Sequence, residues 1–267
     1  MKLPVVSMAI LALLFLFSFC GHWLYQVSPY MLDKDAILLA PSWEHVFGTD
    51  RLGRDIAARI IEGGKVSLSI GVGSALIASF LGLMIGATAG YFRGLVDKGF
   101  VVLVDLFLTF PTFFLLLALV SYVNASVWVL IVIISITGWM TTARLIRSES
   151  FAITQKPFIK ILRIAKVPTY KILLKYYAPL LAPIFFVSFT FGVGGAILSE
   201  SGLSFLGLGI VAPQMSWGTI ISGGKEVMDI AWWVSFFPGL MIFLVTFALI
   251  NISNYLQSIT NQKQVQE

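Results

Sequence analysis

Arg144, Arg147, Lys156, Lys160, Arg163, Lys166, Lys171 and Lys175 crowd the stretch between 144 and 179 against one acid, Glu149. The chemistry open to such a set is electrostatic: gripping lipid phosphates, or meeting an acidic face on another protein. Spacing adds a second property. Lys156, Lys160 and Arg163 fall at i, i+4 and i+7, and Phe158, Leu162 and Ala165 fall at another helical spacing. The stretch therefore predicts a short amphipathic helix closed by Pro168, then a second helical run to Pro179. Its apolar side could lie on lipid headgroups or fill a groove on a soluble partner. Pattern alone makes the lipid surface the simpler reading.

Other reactive groups are sparse. Asp105 and Glu200 are the acids set near apolar spans, and such acids are functional candidates by default. His22 and His45 are the only histidines and Cys20 the only cysteine, so neither a metal-ligand spacing nor an internal disulfide is available. No Gly-x-Ser-x-Gly elbow occurs. Gly64-Lys65 continues to Val66 and Gly224-Lys225 to Glu226, so no loop of the phosphate-cradling pattern exists. These absences predict a chain that is not an enzyme and binds no cofactor; ATP-driven movement of a solute would need another chain to hydrolyse the nucleotide.

The elements that must carry these residues are membrane helices. The chain is 58% hydrophobic and 12% charged, with recurrent apolar runs long enough to cross a bilayer. We expect an all-α polytopic protein with six spans at about 4–24, 66–91, 99–122, 126–142, 179–199 and 232–256. Phe17 and Phe19 precede Cys20 where cleavage needs small residues, so the first span is read as uncleaved. Placing both termini in the cytoplasm puts Lys2, Arg93, Lys98, the basic stretch and Lys263 inside. It leaves outside Lys34, Arg51, Arg54, Arg59, Lys65 and Lys225, diluted by acids. The net charge of +5 is thus topological and gives no reason for nucleic acid. The units are a first span (1–24), an extracytoplasmic loop (25–65), a five-helix core (66–257) with a cytoplasmic loop at 143–178, and a tail (258–267). Gly82, Gly86 and Gly90 share one face of the second span and predict close helix packing. Trp217, Trp232 and Trp233 fit an outer aromatic belt, and Gly202, Gly207 and Gly209 suggest broken helix at membrane depth.

Two segments carry a specific resemblance. Gly48-Thr49-Asp50-x-x-Gly53-Arg54-Asp55, and Glu200-x-x-Leu-Ser204-Phe205-Leu-Gly207-Leu-Gly209 followed by Pro213 and Ser216-Trp217-Gly218, resemble the permease subunits of peptide/nickel-type ABC importers. Asp105 to Pro111, and Trp139 to Arg147 leading into the basic stretch, are similar to the same family. Phe110-Pro111-Thr112 looks closer to its nickel-type members. The resemblance covers about residues 45–255. Aligned on Pro179, Ile161-Leu162-Arg163 take the place of the family's Ala-Ala-Arg, Lys166 that of its Gly, and Ala178-Pro179 that of its Leu-Pro.

This resemblance implies a bacterial inner-membrane permease that moves peptides or nickel, free or chelated. Its implied partners are a second permease subunit, cytoplasmic ABC ATPases carrying ATP and Mg, an extracytoplasmic solute-binding protein, and membrane lipid. ATPase coupling would fall to Phe158, Ile161, Leu162, Arg163, Lys166 and Pro179. Gly48, Thr49, Asp50, Gly53, Arg54 and Asp55 form the extracytoplasmic signature. Candidates for the passage or its gate are Asp105, Pro111, Glu200, Ser204, Phe205, Gly207, Gly209 and Trp217. A self-contained channel or secondary transporter, and a membrane scaffold, are the alternatives.

Overall fold

The computed structural model describes residues 3–266, with side chains through Thr260; Lys2 and the side chain of Lys263 lie outside the described residues. The chain is helical throughout its spans. In order come α1 (Val5–Leu24), α2 (Ile56–Phe92), α3 (Gly94–Leu108), α4 (Thr112–Val120), α5 (Val127–Gln155) and α6 (Pro157–Ile164). Then follow α7 (Thr169–Ile172), α8 (Ala178–Phe205), α9 (Trp217–Gly224) and α10 (Trp233–Gln266). Among the described residues five helical runs are long and apolar enough to cross a membrane, and there are six if the bent pair α3 and α4 is one broken span.

α2 is the hub, packed against α1, α5, α8 and α9. Its glycine face is the reason α5 comes so close. A Cβ placed on Gly86 would stand 2.4 Å from the Ala143 carbonyl oxygen, and on Gly90 2.6 Å from the Ser150 Cβ. The Gly82, Gly86 and Gly90 face is thus filled by α5 of the same chain. α10 closes the bundle against α1, α8 and α9.

The third span differs from a straight helix. α3 and α4 meet at a 76° bend over Thr109–Pro111. Pro111 has no N–H to continue the ladder and stands as the N-cap of α4, while the Thr109 hydroxyl turns back to the Asp105 carbonyl at 2.8 Å.

The second span starts earlier than expected because Asp55 caps it, accepting from the Ala58 amide at 2.8 Å. Neither Thr49 nor Asp50 performs that capping. α5 continues well past 142, so Arg144 and Arg147 sit on a helix. The break comes at Lys156-Pro157, with Lys156 extended as proline requires of its predecessor. The fifth span likewise begins at Thr169, with Pro168 as its N-cap. A π-helical turn, Leu173–Tyr177, joins α7 to α8, so Pro179 lies inside a continuous run and does not end one.

Candidate functional site

The loop between α5 and α7 presents α6 outward. Ile159 is fully buried and Leu162 packs half-buried on the cluster of Ile146, Ile153, Ile172 and Tyr177. Ile161 and Ile164 are 64% and 81% exposed, and Phe158 is about one third exposed. The apolar face expected at Phe158, Leu162 and Ala165 is therefore split. Leu162 seats the helix, Phe158 lies partly exposed beside Tyr176 with ring centres 6.4 Å apart, and Ile161 and Ile164 face away. Arg163 is engaged as well, its guanidinium 4.4 Å over the Tyr91 ring and donating to the Tyr91 carbonyl at 3.3 Å.

α6 ends at Ile164 with Ala165 as its C-cap and Lys166 turning the chain just beyond it, not at Pro168. Lys166 has φ +53°, the left-handed conformation usually given to glycine, and the Val167 amide reaches back to the Leu162 carbonyl at 3.1 Å. Pro179 is exposed beside a cavity of about 450 Å³ lined by Ile153, Leu180, Pro183, Phe186 and Leu256.

Two acids of α3 tie it to α5. Asp97 takes two contacts from the Arg147 guanidinium, one of them at 2.7 Å, and Asp105 accepts from Arg144 at 2.5 Å. Asp105 is thus paired with Arg144, and its side chain remains 59% exposed. Spacing on α5 could have revealed this: Arg144 and Arg147 lie one turn apart, facing the acids of the preceding span.

Glu200 is fully buried near the end of α8. Its Oε1 accepts from the Ser204 hydroxyl at 2.7 Å and the Ser216 hydroxyl at 2.6 Å. Ser216 caps α9 in a capping box with Thr219. Trp217 is buried completely, donating from its indole to the Ile60 carbonyl at 2.9 Å and from its amide to the Ser67 hydroxyl at 3.0 Å. Trp233 is 7% exposed and donates to the Thr49 carbonyl at 3.1 Å. Of the three belt tryptophans only Trp232 is exposed; the other two are core, because each indole N–H finds a carbonyl inside the protein. α8 stays regular through Gly202, and the break follows at Leu206–Ser216. There Gly207 has φ +83°, and a Cβ on Gly209 would meet the Ser204 Oγ at 1.8 Å. Phe205 is exposed, with Lys225 Nζ 5.0 Å from its ring centre.

The Gly48 to Asp55 segment is a clamp. Asp50 accepts from the amides of Leu52 and Arg54 and from the Arg54 side chain at 2.7 Å. Thr49 is fully buried, its hydroxyl accepting from the Leu39 amide at 2.8 Å. Gly48 and Gly53 have φ +73° and +72°, and a Cβ on Gly53 would overlap the Asp33 carbonyl oxygen at 1.7 Å. Asp55 caps α2 and also receives the Tyr25 hydroxyl at 2.8 Å, with His45 Nδ1 at 2.9 Å. Burial, and then the neighbouring Asp55, hold the Tyr25 hydroxyl above its ordinary range, so it stays a donor.

One feature escaped the sequence. A cleft of about 220 Å³ between α2, α4, α5 and α8 is lined by Ser74, Ser79, Thr137, Thr142, Ser188 and Ser199 among small apolar residues. Its signal was Ser188-x-x-x-Gly192-x-x-Gly195-Ala196-x-x-Ser199, a small polar face at helical spacing.

Residues 82–264 match the family described as binding-protein-dependent transport system inner membrane component. The oligopeptide transport system permease protein OppC of Haemophilus influenzae is 31% identical over 98% of this chain and 85% of its own length. The nickel transport system permease protein NikC of Escherichia coli is 32% identical over 91% of this chain and 88% of its own. For the dipeptide transport system permease protein DppC of Bacillus subtilis the figures are 32%, 98% and 82%. In fold, the chain resembles a solved chain of the inward-facing MetNI methionine ABC transporter. That match has a TM-score of 0.57 and 16% identity, covering 74% of this chain and 96% of the other.

Proposed function

The chain belongs to the family of binding-protein-dependent transport inner membrane components and is a permease subunit of an ABC importer, and we propose that peptides or nickel, free or chelated, are its solutes. It works as one of two different permeases in the inner membrane, with both termini cytoplasmic. ATPases carrying ATP and Mg dock at the loop around α6, and an extracytoplasmic binding protein delivers solute to the outer loops. Those loops are kept in shape by the Gly48 to Asp55 clamp, with the fully exposed Trp43 at the surface. ATP binding draws the α6 helices of the two permeases together and shifts the spans between inward-open and outward-open states. Asp105, Pro111 and the Glu200 to Trp217 region form the hinge and gate of that movement. A self-contained channel or carrier would show interior ionisable groups in several spans; of the two acids Asp105 and Glu200, Asp105 is ion-paired with its side chain 59% exposed, and only Glu200 is buried.

The observation that carries the docking assignment is α6 itself. Ile161 and Ile164 stand exposed between basic residues on a helix whose other side, Ile159 and Leu162, is anchored in the core. An apolar helical face anchored from behind fits a groove on a soluble partner. The test is affinity capture of the tagged protein from mild detergent, with Ile161→Asp compared to wild type. Recovery of a second permease and a Walker-motif ATPase, with only the ATPase lost in the variant, is the expected result. Wild type emerging alone would sink the reading. Leu162→Asp strikes the core and is the unfolding control.

A further inference from the structure

We propose that the pocket between the Asp50 to Arg54 turn, the first turn of α2, α9 and the start of α10 binds a free monovalent carboxylate, held by Arg59. The inference goes beyond the transport reading. The site lies wholly within this chain and depends neither on the solute nor on partner subunits.

Arg59 carries the argument. It stands in the first turn of α2 with its side chain only 8% exposed. A buried guanidinium is ordinarily paired with a carboxylate, because an uncompensated buried charge is costly. Arg59 is left short. Among the described residues its one hydrogen bond runs from Nη1 to the Pro29 carbonyl at 3.4 Å, and its Nε has no hydrogen-bond partner. The only carboxylate within 4 Å is Asp50, 3.7 Å from Nε and so beyond hydrogen-bond reach. Asp50 is already engaged by the Arg54 side chain and the amides of Leu52 and Arg54. Nε and Nη2 share one edge of the guanidinium. That open edge is the two-pronged fork that matches both oxygens of a carboxylate.

Space and charge fit the same ligand. Arg59 lines a cavity of about 80 Å³ together with Arg51, Arg54, Thr219, Ile220 and Val234. That volume holds roughly two or three waters, or one small organic acid. The charges around it are Arg51, Arg54 and Arg59 against Asp50, with Glu226 paired to Arg51 at the surface. Two arginines are thus matched by acids. One positive charge is left over, which a monovalent anion neutralises and a dianion overshoots. Arg51 and Leu52 are the exposed lining residues and form the rim. Because Glu226 holds Arg51 there, a small free acid enters more readily than a side chain fixed on another protein. The clamp makes one wall and α9 the other, so a bound anion favours the arrangement in which the two stay together.

The test uses the full chain in mild detergent, with whatever subunits it captures, and sodium formate as the probe. Broadening of the formate proton resonance reports binding directly. Melting in sodium formate against sodium chloride and sodium phosphate, at matched ionic strength, reports its effect on the fold. Wild type should broaden the resonance saturably and melt highest in formate. Arg59→Gln should abolish both responses, and Arg59→Lys, which keeps the charge and loses the fork, should weaken binding by about tenfold. Two exposed rim variants keep the idea falsifiable if Arg59 variants fail to fold. Arg51→Gln should weaken formate binding and Glu226→Gln strengthen it, each by about threefold. A resonance that wild type leaves sharp overturns the site. Equal melting in chloride and formate overturns the carboxylate class, and binding retained in Arg59→Gln, or indifferent to both rim variants, overturns the assignment to this pocket. Formate displaced by an added solute-binding protein overturns the free acid in favour of a side chain from that partner.

Discussion

The Ser216 hydroxyl serves two partners at once. It accepts from the Thr219 amide at 3.1 Å as the N-cap of α9 and donates to Glu200 Oε1 at 2.6 Å. The carboxylate near the end of α8 therefore positions the start of α9 across the non-helical segment between them. Glu200→Ala leaves Ser204 and Ser216 without their acceptor and opens a void, which should cost about 2–4 kcal/mol. Glu200→Gln retains an acceptor oxygen and should lose less. Thermal unfolding in detergent, with protease cleavage between 206 and 216, measures both; an alanine variant melting like wild type refutes the clamp.

The two ties between α3 and α5 should differ in worth. Asp97 and Arg147 side chains are 19% and 27% exposed and make two contacts; Asp105 and Arg144 are 59% and 52% exposed. Asp97→Asn should destabilise by about 1–3 kcal/mol and Asp105→Asn by under about 1 kcal/mol. The order of the two melting temperatures is the check, and equal losses contradict it.

Lys166 occupies a left-handed position at φ +53°. Lys166→Gly removes the strain between its Cβ and the backbone, so it should stabilise the protein by about 0.5–1 kcal/mol. The same variant in the captured complex tells whether the lysine charge also serves the ATPase. A lower melting temperature would show that the side chain holds the loop by contacts of its own.

Adding one methyl to α2 at Gly86 should force the α2 and α5 backbones apart, since the new Cβ would lie 2.4 Å from the Ala143 carbonyl oxygen. Gly86→Ala should cost upward of about 2 kcal/mol. Gly239→Ala, where a Cβ meets nothing within 4 Å, should be neutral or stabilising by up to about 1 kcal/mol. Similar melting temperatures for the two variants would deny the close packing.

Tyr25 supplies a pH dependence. Folding raises its ionisation above the ordinary value of 10.0 through burial and Asp55. A raised group contributes fully below its unfolded value and loses that contribution as pH climbs toward the folded one. Wild type should therefore lose stability above about pH 10 with a slope that Tyr25→Phe lacks. Parallel curves for the two proteins from pH 9 to 11 would remove Tyr25 from the clamp.

The spans were legible because lipid demands long apolar helices, and the glycine face of α2 announced its tight partner. Helix ends were harder to read. Proline was given more stopping power than it has here: Pro168 starts a helix and Pro179 sits inside one, while the turn that closes α6 falls on the left-handed Lys166, at the position where the family's pattern has glycine. Arg144 and Arg147 looked like loop charges because their acids lie 39 and 50 residues earlier on another helix. Trp217 and Trp233 looked like interface anchors because composition cannot tell an indole facing headgroups from one facing a buried carbonyl. The cleft around Ser188 needs four helices to exist at all.

Thr169–Phe205 is a single helical run of 37 residues, about 55 Å of rise from the loop that carries α6 to Glu200. Such a rod turns a push at one end into a tilt at the other. Its compliance is concentrated in the π turn at Leu173–Tyr177 and at Pro183, both in the half nearer α6. Beyond Pro183 the shaft reaches Glu200 with no further proline, so a stroke that survives the two soft joints should arrive at the α9 cap with little damping.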